Sequence, residues 1–232
     1  MLRQKIVYLI VAIMLVLLML QNNISPARLQ YLQEIGYGAE DMIVSLISNA
    51  FFTYFLAAII SFIACRDFEQ NILKNVYAKG FTGEKVYTAK FLFILLITSI
   101  VFVLTILIGC IQTAIVFGLP PMAELYPILF AQFIAVLAYA AFDVLFCVIF
   151  KKSGLALAFL ILVPPLGGLL LDLADMYLHL PFSLGNLWIT QAMAYIHGGS
   201  ITTQDLLYSL LTSACYMIGC FFLGRFIAKH QR

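Results

Sequence analysis

The chain has 232 residues, of which 64% are hydrophobic and 10% are charged, and its mean hydropathy is +1.05. A soluble domain could not remove so much apolar surface from water, so the composition excludes a soluble globular protein and predicts a chain that folds in lipid. The formal net charge of +2 gives no sign of a nucleic-acid partner.

Six apolar segments approach or exceed the roughly 20 residues that a helix needs to cross a bilayer. They lie near 6–20, 43–64, 91–117, 127–150, 154–171 and 205–227. The fifth contains Pro164-Pro165 and Gly167-Gly168, which we expect to break it in its outer part. The predicted fold is an all-α polytopic membrane protein, a single domain over 1–232 with six spans. Five spans with one re-entrant segment are the alternative.

The first segment also has the length of the apolar region of a signal peptide, and it follows a basic start, Arg3 and Lys5. The residues after it, QNNISPARLQ, lack the small residues of a cleavage site. Its removal would leave an odd number of spans and place the basic loops outside. We therefore expect this segment to remain as a short first span.

The lysines and arginines predict the orientation of the chain. With both termini in the cytoplasm, every one of them except Arg28 lies on the inner side of the membrane. Because basic residues accumulate on the cytoplasmic side of membrane proteins, this arrangement predicts a multi-pass protein with both termini inside.

The polar connector 65–91, between the second and third spans, carries five cations and three acids. Its apolar residues recur at helical spacing, which predicts a surface helix over about 67–79 with one apolar face. These residues are Phe68, Ile72, Leu73, Val76 and Tyr77. Gly80 is expected to end the helix. Such a helix needs a surface to dock against, and either a soluble partner or the lipid surface would serve.

The search for catalytic chemistry finds no GxSxG, HExxH or GxxxxGK[ST] motif, so we predict no catalytic residue and no phosphate-binding loop. The five cysteines fall in spans or at a cytoplasmic edge, and the three histidines are scattered. We therefore predict no disulfide, no metal site and no cofactor bound by this chain.

Three polar residues within the spans are candidates for a transport path. A charge such as Asp143 is costly in lipid, so it either contacts a gate or substrate or pairs with a nearby cation; pairing is the favoured interpretation. Thr105 and Gln112, in the third span, either line the path or hydrogen-bond to their own helix and a neighbour.

The connector resembles the signature segment of the permeases of type-2 ABC exporters over residues 68–90. The matching positions are Glu69, Leu73-Lys74-Asn75, Gly80, Val86-Tyr87 and Lys90. The chain departs from the family pattern at Asn71-Ile72, where Gly-Thr is usual, and at Gly83, where a basic residue is common. Six spans, both termini inside and a long outer segment before the last span also agree with this family.

The resemblance implies that the helix over 67–79 is a coupling helix, which contacts an ATPase. The contact residues would be Phe68, Glu69, Ile72, Leu73, Lys74, Asn75, Val76 and Gly80. It implies as partners two copies of the ABC ATPase subunit, which bind the ATP and Mg²⁺, and a second permease chain, identical or related. It also implies re-entrant helices in the outer region 164–204, for which an ordinary interfacial segment is the alternative.

By the same resemblance, the chain would lie in the plasma membrane of a bacterium and export a hydrophobic or amphipathic substrate, such as an antimicrobial peptide or a drug. Two other functions stay open. One is a secondary transporter that works without ATP, and the other is a membrane scaffold subunit that recruits a soluble partner.

Overall fold

The computed structural model describes residues 12–14, 16, 38–70, 72–118, 122–178, 188–190 and 202–230. The elements within these ranges are helices: α1 Ala39–Ser48, α2 Ala50–Glu69, α3 Ile72–Ala78, α4 Gly83–Val116, α5 Met122–Phe150, α6 Ser153–Leu178 and α7 Thr203–His230. Five of these described helices, α2, α4, α5, α6 and α7, are long and apolar enough to cross a membrane. They correspond to the second to sixth predicted spans, whereas of the first predicted span, 6–20, only 12–14 and 16 are described, and these are helical.

Helix α5 is the centre of the bundle, since it packs against α1, α2, α4, α6 and α7, most extensively against α7. Several of its fully buried side chains are small: Ala131, Ala135, Ala138, Ala140 and Ala141. Small side chains let neighbouring helix backbones approach closely in a membrane, where packing rather than the hydrophobic effect holds helices together. The outward faces of α4, α6 and α7 instead expose leucine, isoleucine and phenylalanine, as a lipid-facing surface does.

The second predicted span, 43–64, is not one helix, because the chain breaks at Asn49 between α1 and α2. Asn49 is extended, and its side chain accepts a hydrogen bond from the amide of Phe51 (2.9 Å) at the start of α2. Gln132 of α5 donates to the carbonyl of Val44 (3.1 Å) and to the hydroxyl of Ser48 (3.1 Å). A break at membrane depth leaves backbone groups that need such partners, and a buried glutamine supplies one.

The prediction that Pro164-Pro165 and Gly167-Gly168 break the fifth span is wrong, since α6 continues through all four residues. Two prolines remove two amide donors, but neighbouring groups can satisfy a membrane helix at such positions. The indole of Trp188 donates to the carbonyl of Pro164 (2.6 Å), which is not one of the two carbonyls, those of Leu160 and Ile161, that the prolines leave without a helical donor. A Cβ on Gly167 would overlap the same indole ring, so the glycine makes room for Trp188. Apart from α6, 188–190 and the start of α7, the predicted re-entrant region 164–204 lies outside the described residues.

All the described lysines and arginines lie near one end of the bundle, called the basic end here. They are Arg66, Lys74, Lys79, Lys85, Lys90, Lys151, Lys152, Arg225 and Lys229. Contacts join the elements that carry them: Glu69 bonds Ser153, Glu84 bonds Arg225, and Gly83 lies against the carbonyl of Ala228. The cytoplasmic location of this end stays a prediction from the distribution of basic residues.

Candidate functional site

The predicted coupling helix is divided between two elements at the basic end. The long helix α2 continues through Phe68 to Glu69, so these two residues end a spanning helix and do not begin a separate one. The separate helix is the short α3. The prediction of one continuous helix over 67–79 is therefore wrong in its first part, because α2 runs a turn further than its apolar sequence indicates.

Gly80 ends α3, as predicted. Its φ of 84° is in the left-handed region, which glycine adopts without a steric penalty. The amide of Gly80 bonds the carbonyl of Tyr77 (2.9 Å), and the amide of Phe81 bonds that of Val76 (3.4 Å). These bonds satisfy carbonyls that the last turn of a helix would otherwise leave without a partner.

The residues of α3 differ sharply in exposure. Leu73 is buried, whereas Ile72 and Val76 are half-buried. Lys74, Asn75 and Tyr77 are exposed. Leu73, which is one of the predicted ATPase contacts, is therefore packed against the rest of this chain. The exposed side of α3 is polar and aromatic, so a partner would meet Lys74, Asn75 and Tyr77.

Glu69 is held within this chain. Its carboxylate accepts hydrogen bonds from the backbone amide of Ser153 (2.7 Å) and from the hydroxyl of Ser153 (2.6 Å). Ser153 is the first residue of α6, where amides lack partners in the helix and a negative charge is stabilised by the helix dipole. Glu69 therefore joins the end of α2 to the start of α6, a role that the sequence interpretation did not foresee.

Lys90 joins α4 to α2 at the same level. Its ammonium donates to the carbonyl of Ala64 (2.7 Å) and pairs with the carboxylate of Asp67 (3.0 Å). It also lies over the ring of Phe68, 4.7 Å from the centroid. The side chain of Lys90 is only 10% exposed, and charge-assisted bonds in such surroundings are among the stronger polar contacts. Phe68 is thus occupied by a contact within the chain.

Helix α4 is joined to α7 by a third set of contacts. Glu84 pairs with Arg225 (2.9 Å) and, more distantly, with Lys229 (3.9 Å). The hydroxyl of Tyr87 donates to the carbonyl of Cys220 (3.0 Å), and the Tyr87 ring lies against Gly224, where a Cβ would overlap it. Gly83, the first residue of α4, lets this helix approach the backbone of Ala228.

The three candidate path residues do not form one cluster. Asp143, on α5, is 2% exposed. None of the ion pairs between described residues includes Asp143, so its predicted cation partner is not among them.

Thr105 and Gln112 lie on α4, away from Asp143. The ring of Phe102 on α4 contacts that of Phe133 on α5 (5.2 Å), which sets the register of these two helices. At 1.5 Å per residue, Thr105 and Asp143 are then about 20 Å apart along the bundle. Thr105 is buried and its hydroxyl donates to the carbonyl of Val101 (2.9 Å), which agrees with the backbone-bonding interpretation. Gln112 is half-buried.

Among the described residues, no group of three or more histidine, cysteine, aspartate or glutamate side chains could hold a metal ion. Comparison with protein-family models, with curated proteins and with solved structures finds no match to this chain.

Proposed function

We propose that this chain is the membrane-spanning permease subunit of an ATP-driven exporter of the type-2 ABC class. A separate ATPase subunit, in two copies, binds α3 and supplies the energy of ATP. A second permease chain completes the path across a bacterial plasma membrane. The cargo is a hydrophobic or amphipathic molecule, such as an antimicrobial peptide or a drug.

The observation that carries the proposal is the position of α3. It is a short helix at the basic end whose one face, with Leu73, is packed on the bundle while Lys74, Asn75 and Tyr77 are exposed. A helix with this exposure can lie in a groove of a soluble partner. Its exposed side chains would contact the partner, while its buried side chain holds it on the bundle.

The connections around α3 support a role in force transmission. Only Gln70 and Asn71 separate α3 from α2, and four residues separate it from α4. The ends of these long helices are joined to each other by Lys90, to α6 by Glu69 and to α7 by Glu84. A displacement of α3 would therefore move the ends of several spanning helices together, which is what a coupling helix requires.

The test is a pull-down of the tagged full-length chain from gently solubilised native membranes, followed by mass spectrometry. We expect an ABC ATPase subunit in stoichiometric amount. Lys74→Glu and Tyr77→Asp should reduce its recovery at least tenfold, because each places a negative charge on the exposed side of α3. Both residues are exposed, so both variants should remain folded and monodisperse.

Lys152→Glu is the matched control, since Lys152 is an exposed lysine at the same end but outside α3. It should leave the recovery of the ATPase unchanged. If the unsubstituted chain is folded and recovers no ATPase, the proposal is refuted. An equal loss of ATPase in all three variants would show that only the general charge of this end matters. A stoichiometric soluble partner without a nucleotide-binding site would indicate a scaffold subunit instead.

A secondary transporter is the second candidate, and the burial of Asp143 favours it. A nearly inaccessible carboxyl in a spanning helix is a common place for ion coupling. Uptake or efflux in proteoliposomes that contain this chain alone, driven by a proton gradient and abolished by Asp143→Asn, would support this candidate over the exporter.

A further inference from the structure

A groove of about 890 Å³ runs along the side of the bundle between α2 and α4. Its α2 wall extends from Ile59 to Asp67, and its α4 wall extends from Lys85 to Leu104. The exposed fraction of Phe93 and of Ile100 in this wall is 53% each. The groove is therefore open to the surface that a bilayer would cover.

The deep part of the groove is apolar and long. From Lys90 to Leu104 its α4 wall holds Phe93, Ile97, Ile100 and Val101, and Ile59, Phe62 and Ile63 face it from α2. This stretch of α4 covers about 21 Å at 1.5 Å per residue, compared with roughly 15 Å for the hydrocarbon of one leaflet. An acyl chain fits this length. An extended peptide would leave its backbone groups without partners there, whereas an acyl chain has none to satisfy.

The mouth of the groove is positively charged. It contains Arg66, Asp67, Lys85 and Lys90. Asp67 and Lys90 pair with each other at 3.0 Å, and none of the ion pairs between described residues includes Arg66 or Lys85. Among the described residues, the hydrogen bond that Arg66 donates from its Nε goes to the side chain of Gln70 and is long (3.4 Å).

Neither of the other described acids at this end, Glu69 and Glu84, lines the groove. Glu69 bonds Ser153, and Glu84 pairs with Arg225. The mouth therefore carries two positive charges, from Arg66 and Lys85, at the end of an apolar channel. An apolar groove with a basic mouth is complementary to a lipid that has one or two apolar tails and an anionic head group.

We propose that this groove binds one anionic phospholipid from the adjoining leaflet. One acyl chain lies along Phe93 and Ile97, and the phosphate lies between Arg66 and Lys85. Ligand sites are commonly apolar pockets of this size with a few convergent polar groups that set specificity. Lipid binding in this groove does not require the proposed ATPase, so the lipid proposal can be refuted without refuting the exporter function, and the reverse.

The test uses the purified full-length protein in nanodiscs of phosphatidylcholine that contain a small amount of a photoactivatable lipid. The probe is phosphatidylglycerol with a diazirine on one acyl chain, and the comparison probe is phosphatidylcholine with the same chain. After illumination, mass spectrometry locates the adducts. We expect adducts on α2 and α4 along the groove, with phosphatidylglycerol preferred roughly thirtyfold because two basic side chains face its head.

Two variants and a control separate charge from shape. Arg66→Gln with Lys85→Gln should lower the phosphatidylglycerol adducts to the level of phosphatidylcholine. Lys74→Gln with Lys79→Gln removes the same charge from exposed positions outside the groove, and should keep the preference. Ala89→Phe, which fills the groove from its α4 wall, should remove the groove adducts of both lipids.

Three results would overturn the proposal. Equal labelling by both lipids would show that the head group is not recognised. An equal loss of preference in the control pair would show attraction to the whole basic end. A disulfide-linked dimer of Phe93→Cys in native membranes would show that a second copy of the chain occupies the groove.

Discussion

The two halves of α4 are joined to the rest of the bundle in different ways. In the half near the basic end, Glu84, Tyr87 and Lys90 form polar bonds to α7 and α2. In the other half, the hydroxyls of Ser99 and Thr105 bond carbonyls of α4 itself, at 2.8 and 2.9 Å. The first half is attached to its neighbours by hydrogen bonds and ion pairs. In the second half these two hydroxyls bond their own helix, so apolar side chains supply the packing against the neighbouring helices.

This difference indicates where movement can be transmitted and where it can be absorbed. Directed charge-assisted bonds fix the relative positions of helix ends, while apolar surfaces in a membrane have no preferred hydrogen-bond register. A force on α3 would therefore reach α2, α4, α6 and α7 as a unit. The halves of the helices away from the basic end could then change their packing in response.

The largest expected effect concerns the contact of α4 with α7. Gly224→Leu should lower the free energy of unfolding by about 3 kcal/mol, because the new side chain overlaps the buried ring of Tyr87. Gly219→Leu, on the same helix with no neighbouring residue within 4 Å of the added Cβ, is the control: it gains helix propensity without the overlap and should not lower the free energy of unfolding. Denaturation of the purified protein in mixed micelles, followed by circular dichroism, measures both. Equal effects would contradict the packing described here.

A smaller effect is expected at the contact between α2 and α6. Glu69→Ala should cost about 1–2 kcal/mol, because it removes the acceptor for the amide and hydroxyl of Ser153. Glu69→Gln retains an acceptor and should cost less. Hydrogen exchange of the first turn of α6 should become faster in the alanine variant. Unchanged exchange there would show that the carboxylate does not stabilise the start of α6.

The smallest effect is expected in the half of the bundle away from the basic end, where Trp188 packs against α6. Gly167→Ala should be less stable than Gly154→Ala by about 1 kcal/mol, because both gain helix propensity but only the first added Cβ meets the indole. Trp188 is the only tryptophan, so its emission reports this contact directly. The emission should shift to the red in Gly167→Ala and stay unchanged in Gly154→Ala. Equal emission in both would place the indole elsewhere.

The sequence predicted the positions of the second to sixth spans, because the apolar runs are long and hydropathy is their main signal. It did not predict the break at Asn49. A hydropathy window averages over one polar residue, and the glutamine that stabilises the break is Gln132, in another helix. A similar limit applies at Pro164-Pro165, where the side chain that packs against the helix, Trp188, is 24 residues away.

The candidate site was predicted in part. Periodicity located a helix before Gly80, and α3 ends there. It could not tell which apolar residues face the bundle and which face a partner, so Phe68 and Leu73 were assigned to the partner. The roles of Glu69 and Lys90 depend on Ser153 and Ala64, which are distant in sequence, and no local pattern indicates those pairs.

The central claim, that α3 contacts a soluble ATPase, is tested most directly by a photo-crosslinking amino acid at Asn75 in native membranes. A second position, Ile111, is 62% exposed on the half of α4 away from the basic end and serves as the control. We predict an adduct with an ABC ATPase subunit from position 75 and none from position 111. No adduct from position 75 in a folded, membrane-inserted protein, or the same adduct from both positions, would contradict the account.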